Sequence, residues 1–263
     1  MTSQHNAALR GLNAVYLQAP YINAPQDITD LLFLVQCWGL WVQFYHDLRR
    51  TRIFPKFEEA LQQPGCILSQ LRKDMHFVPL LKRLLQWVQV VHPQPELYDH
   101  TVLQELIMDL GTIFRPHLAH LISILTGLPR VCGQLGSLEA EAKAAQLSQL
   151  YRAYQKEADI AMDPNIVPPM TVRMRDTTYG GGNNWPGLSL VAVHTIDERL
   201  SRAHSGAWRF LPCDVWGKPK ELLFRGQLFS KATQTAAIPP KLPLKSPARR
   251  KEKPVPADIS EDQ

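Results

Sequence analysis

The chain opens with a stripe of apolar residues at helical spacing. Ala8, Leu9, Leu12, Val15 and Tyr16 fall on one face, and Pro20 ends the run. A second helix is predicted from about Asp27 to Arg50. It is apolar nearly all round, through Trp38, Leu40, Trp41, Val42 and Phe44, which places it at the centre of a core. Pro55 is expected to break that run, with a short helix over Phe57 to Leu61 beyond it. A third helix reads from Ile67 to Val91, kinked at Pro79 and stopped before Pro93. A fourth reads from Val102 to Leu125, with a kink at Pro116 just upstream of His117. Four long helices with short connections describe an all-α, up-down four-helix bundle over residues 1–130.

Residues 131–226 read as a helical C-terminal extension packed on that bundle. A fifth, Ala-rich helix is expected from Ser137 to Ala161, with Ser137 as N-cap and Glu139 and Glu141 near the positive end of its dipole. Residues 162–188, rich in Pro, Gly and Asn, read as loop, and a sixth helix is expected from Ser189 to Ser201. After Gly226 come six prolines, scattered Lys and Arg and few apolar residues, so 227–263 is expected to be a disordered tail.

The helical runs carry a second pattern. His46 and Arg50 are four apart, as are Arg72 and His76, and His117 and Leu121, while His5 sits in the first helix. Residues four apart share a helix face. Metal-binding bundles aim such pairs inward, with a His or a carboxylate at each position. Here a His survives on each of four helices, but the partners read Arg, Arg and Leu.

Several longer blocks accompany the histidines: Arg10-Gly11-Leu12-Asn13, Tyr16-Leu17-Gln18-Ala19-Pro20, Gln36-Cys37-Trp38 and Ile53-Phe54-Pro55. Gly181-Gly182-Asn183-Asn184-Trp185-Pro186 and His204-Ser205-Gly206-Ala207-Trp208-Arg209-Phe210 with Pro212-Cys213-Asp214 follow near the end. On these residues the chain resembles the hemerythrin-like (HHE cation-binding) family over roughly residues 1–226, in particular its extended fungal members. In that family five His and two bridging carboxylates hold two irons. The resemblance carries those seven positions onto His5, His46, Arg50, Arg72, His76, His117 and Leu121, so both carboxylates are replaced. One metal position would keep His5 and His46, the other His76 and His117. A guanidinium offers no lone pair, so a di-iron oxygen carrier is not expected. The resemblance also implies a setting beside biosynthetic enzymes of fungal secondary metabolism.

Three functions of different class stay open. In the first, His5, His46, Arg50, Arg72, His76 and His117 line an organic-ligand pocket made from the degenerate metal site. An unpaired inward Arg would then meet an anionic or carbonyl-bearing intermediate, with His76 the candidate general acid or base. No cofactor is expected in that case. In the second, the four histidines hold a single iron or zinc. In the third, the chain is a non-catalytic interaction protein.

Composition narrows the partners. The 263 residues, 45% apolar, suffice for one sizeable core with extensions. From Lys231 onward seven basic and four acidic residues account for +3 of the formal +5, so the body has no basic face that calls for nucleic acid. Cys37, Cys66, Cys132 and Cys213 lack metal-site spacing and suit a reducing compartment. With no signal-like start, and an apolar run at Leu31 to Tyr45 too short to span a bilayer, the chain reads as cytoplasmic with no membrane partner. A nuclear address in the basic segment Pro247 to Pro254 is the weaker alternative to a solvated tail. Gly180 to Gly182 has no preceding strand and reads as a tight turn rather than a phosphate loop. His204 and Ser205 lack a third orienting residue, so packing against Trp208 is expected of His204.

Overall fold

A computed structural model describes residues 2–71, 77–131, 137–178, 180, 182 and 185–224. Arg72 and His76, and the tail with its basic segment, lie outside these. Met1–Arg225 forms one compact unit, and the elements below belong to it. It is helical: among the described residues the only β pairing is an isolated bridge between Cys213 and Pro219. None of the described helices is long and apolar enough to cross a membrane.

Helix α1 spans Thr2–Gln18 and α2 spans Pro25–Leu48. Helix α5 spans Phe77–Val91 and α6 spans His100–Val131. Helix α1 packs on α2 and α6, and α5 packs on α2 and α6, so the four enclose a common interior. The all-round apolar sequence of α2 is accounted for by its neighbours, since α1, α5, α8 (Val167–Met174) and α10 (Ser205–Trp208) all lie against it. Gly39 permits the approach of α5, since a Cβ there would overlap Leu85, and Gly11 permits that of α8 to α1, since a Cβ there would overlap Met174. The indole of Trp38 donates to the Ala8 carbonyl at 3.0 Å, tying α2 to α1 without leaving a buried donor unpaired.

Two expectations need correction. Pro55 does not break the second helical run. The chain passes from α2 through a π-helical turn, Arg49–Ile53, directly into α3, Phe54–Leu61. Pro55 falls in the first turn of α3, where its missing N–H matters least. Likewise 162–188 is not all loop. Helix α8 starts with Pro168 and Pro169 in its first turn and buries Met170, Val172 and Met174. Both errors have one cause: proline was read as a stop signal when it was serving as a start.

Other boundaries follow the sequence closely. Helix α7 spans Ser137–Ala161 and packs on α3. Helix α9, Leu190–Thr195, is N-capped by Ser189, whose hydroxyl accepts from the Ala192 amide, and it continues through a π turn to Leu200. Helix α6, by contrast, runs past the expected end at Leu125 to Val131 and stays helical through Pro116. A four-residue turn, α4 (Leu68–Leu71), precedes the undescribed stretch before α5.

Candidate functional site

Three of the four histidines singled out by the sequence meet inside the ring of helices. His5 on α1, His46 on α2 and His117 on α6 are 4%, 9% and 5% exposed and line one cavity. The His46 and His117 rings have centroids 5.7 Å apart. Phe77, at the start of α5, wedges against both, 4.8 Å from His46 and 4.7 Å from His117. Phe114 and Trp38 continue this aromatic wall behind Phe77.

The opposite wall is polar, and its main residue was not anticipated. Arg49, not Arg50, is the inward guanidinium: Arg49 is 8% exposed, whereas Arg50 is exposed and borders only a small void beside His46, His117 and Leu121. Residues three and four on from a helical position both neighbour its face, so spacing alone places Arg49 and Arg50 equally near His46, and it is Arg49 that lines the cavity. Arg49 donates from Nη2 to the Gln4 side-chain oxygen at 2.6 Å, and its guanidinium lies 5.8 Å from the Tyr45 ring centroid. Its Nε has no hydrogen-bond partner, and no carboxylate among the described residues pairs with it. Tyr45 in turn reaches Asp159 on α7 at 3.4 Å.

The electrostatics follow from burial. Desolvation, reinforced by Arg49, pushes His5 down to about 2. The same desolvation, with His117 and Arg49 adding to it, pushes His46 down to about 4. Both imidazoles are therefore neutral near pH 7, and each then carries one donor and one acceptor. Neither nitrogen of His5 nor Nε2 of His46 has a hydrogen-bond partner among the described residues. Among the described residues, the cavity thus holds one fixed positive charge, at Arg49, and no lining acid. Its volume is about 20 Å³, room for a water-sized group or the head of a larger molecule.

A di-iron centre does not fit the donors among the described residues. No carboxylate among the described residues lines the cavity to bridge two cations, Leu121 is apolar and buried, and Arg49 brings a cation of its own. Among the described residues no group of three His, Cys, Asp or Glu side chains is placed to hold a metal ion. His204, by contrast, stacks on Phe33 at 4.3 Å and meets Trp208 edge-on at 6.1 Å, which is the packing role expected of it. Gly182 lies so close to the Asp176 carbonyl that a Cβ there would overlap it, in keeping with a tight turn.

Arg49, Gln4, Tyr45 and Phe77 were missed by sequence reasoning. A weak signal existed for two of them, since Tyr45 and Arg49 are themselves four apart and Arg49 is three from His46.

No family model matches the chain. No solved structure matches it either. It is similar to the dimeric xanthone biosynthesis cluster protein R11 of Cryptosporiopsis sp. (strain 8999), with 24% identity over 225 residues, or 85% of this chain and 81% of that protein.

Proposed function

We propose that the chain serves fungal secondary-metabolite biosynthesis as a hemerythrin-like protein whose former metal cavity receives the anionic or enolic oxygen of an organic intermediate. The setting is supported by the likeness to a xanthone-cluster protein. The chemistry is supported by one observation: Arg49 is buried at the cavity with no carboxylate among the described residues to offset it. A buried, unpaired guanidinium is costly. An incoming carboxylate, phenolate or enolate offsets that cost through charge-assisted hydrogen bonds.

Binding would also change the histidines. An anion next to Arg49 favours the protonated forms of His5 and His46 and returns them towards the range where imidazole is an effective general acid or base. A pocket that merely holds an intermediate and one that moves a proton on it therefore share the same residues. His76, which precedes Phe77, remains a proposed acid–base group whose side chain lies outside the described residues.

The test is Arg49→Met. Salicylate, which carries a carboxylate beside a phenol, should raise the melting temperature of the parent protein and do so far less in the variant. The expected loss is about 1.5–3 kcal/mol for each charge-assisted hydrogen bond removed. The free variant should be at least as stable as the parent, because a buried cation has gone. Full restoration of product by Arg49→Met in a producing strain lacking the gene would sink this reading.

A second reading, a non-catalytic interaction protein, draws on the outer face of α9. Leu190 and Val191 there are 68% and 75% exposed, with Trp216 half-exposed and set edge-on to His194.

A further inference from the structure

The cavity beside Arg49 is too small for more than a head group, so the body of any ligand must lie elsewhere. A larger space adjoins it. Between α1 and α6 an open groove of about 370 Å³ is bordered by His5 and Leu118, both of which also line the inner cavity. That volume lies in the range of small-molecule sites, roughly 300–1,000 Å³.

The lining is divided, with Thr2 and Asn6 beside His5 and Arg115 on its polar part. Leu9, Leu118, Ala119 and Ile122 supply apolar walls. Arg115 is the single charged side chain on the groove; it is exposed and makes no ion pair among the described residues. No acid lines it. His5, more than nine-tenths buried and with neither ring nitrogen hydrogen-bonded to a described residue, stands where the groove and the cavity meet. An imidazole there holds unused hydrogen-bonding capacity between an apolar trough and a buried cation.

We infer that the α1–α6 groove is the binding site for the body of a flat, mostly apolar organic acid or phenol, laid against Leu9, Leu118, Ala119 and Ile122 with its acidic oxygen turned towards His5. The inference rests on the head-group reading above and deepens it by naming the ligand class and its place. The apolar walls favour an aromatic or polyketide-like skeleton over a sugar, whose many hydroxyls would outnumber the partners that Thr2 and Asn6 offer. Arg115, with no acid beside it, favours an anion over a neutral molecule or a cation.

The probes are 2-naphthoate and its neutral analogue 2-naphthamide, titrated against the full chain by calorimetry. The parent protein should bind one equivalent of 2-naphthoate and bind the amide more weakly. Ala119→Trp fills the groove from α6, and Asn6→Phe fills it from α1. Ala119 is exposed and Asn6 half-buried, so both variants should keep the parent's helicity. Each should weaken 2-naphthoate binding by at least about tenfold. Arg115→Gln should weaken it about 2–5-fold, as expected of an exposed charge, and leave the amide unchanged.

Absence of saturable binding to the parent, or unchanged affinity in both groove-filling variants, overturns the groove. Arg49→Met separates this result from the head-group reading. Binding lost in Arg49→Met but intact in the groove variants leaves the inner pocket standing and removes the groove. Binding lost in the groove variants but intact in Arg49→Met establishes the groove and removes the role given to Arg49.

Discussion

A histidine buried beside a guanidinium stays neutral, and the consequence is measurable. His5 and His46 have folded values near 2 and near 4, against 6.5 when unfolded. Below pH 6.5 the unfolded chain therefore takes up protons that the folded chain refuses, so stability is fully present above that pH and falls beneath it. For His46 the loss continues to about pH 4, and for His5 to about pH 2, at about 1.4 kcal/mol per pH unit for each. The melting temperature should fall steeply from pH 6.5 to 4.5, and His5→Leu should flatten that fall. Equal slopes for parent and variant would mean that His5 titrates freely. The three described histidines were legible in the sequence because each lies on an apolar helical stripe. Arg49 was not, because residues three and four on from His46 both neighbour its face, and spacing does not choose between Arg49 and Arg50.

At the scale of elements, the turn after α3 depends on one buried carboxylate. Glu58 accepts from the amides of Gly65, Ile67 and Leu68 at 2.8, 2.9 and 2.7 Å, filling the role that a cap would have at α4. Gln62 adopts a left-handed conformation to end α3, Gly65 is left-handed too, and the Gln63 and Cys66 amides close the turn on the carbonyls of Glu58 and Gln63. Glu58→Ala should cost about 2–4 kcal/mol in thermal or urea unfolding, with Glu58→Gln intermediate. A loss below about 0.5 kcal/mol would mean that the amides find other partners. Another element-level test is Gly206→Ala. Its Cβ would overlap the Asp30 carboxylate, which accepts from Arg209 Nη2 at 3.1 Å while Asp27 accepts from the same nitrogen. The substitution should therefore loosen α10 from α2 and lower the melting temperature. Helix existence was legible here from apolar spacing, and Ser189 gave the true start of α9. The role of Pro55 and of Pro168-Pro169 was not, since a proline ends one helix and begins another by the same geometry.

Across the whole molecule, sequence periodicity shows which face of each helix is apolar but not which helix will cover it. The C-terminal segment illustrates this. Met170, Met174, Trp208, Phe210 and Leu211 belong to the same core as the buried residues of α1, α2, α5 and α6. Their odd composition was visible, but their contacts with α1 and α2 depend on long-range partners. Gln18, wholly buried at the end of α1, donates to the carbonyls of Ala14 and Phe210 at 2.8 Å and accepts from the Phe224 amide at 3.3 Å. Arg209 adds the ion pairs to Asp27 and Asp30 at the start of α2. If these links join the extension to the helices around the cavity in one cooperative unit, Phe210→Ala should destabilise both together. Removing a fully buried phenylalanine costs about 3–5 kcal/mol. Urea unfolding followed by tryptophan fluorescence should then coincide with unfolding followed by far-ultraviolet circular dichroism, both shifted to lower urea. Fluorescence reports Trp208 in the extension as well as Trp38 and Trp41 in α2, so early release of the extension would split the two curves. Such a split, with the helical signal unmoved by Phe210→Ala, would make residues 131–226 a separate domain resting on the bundle.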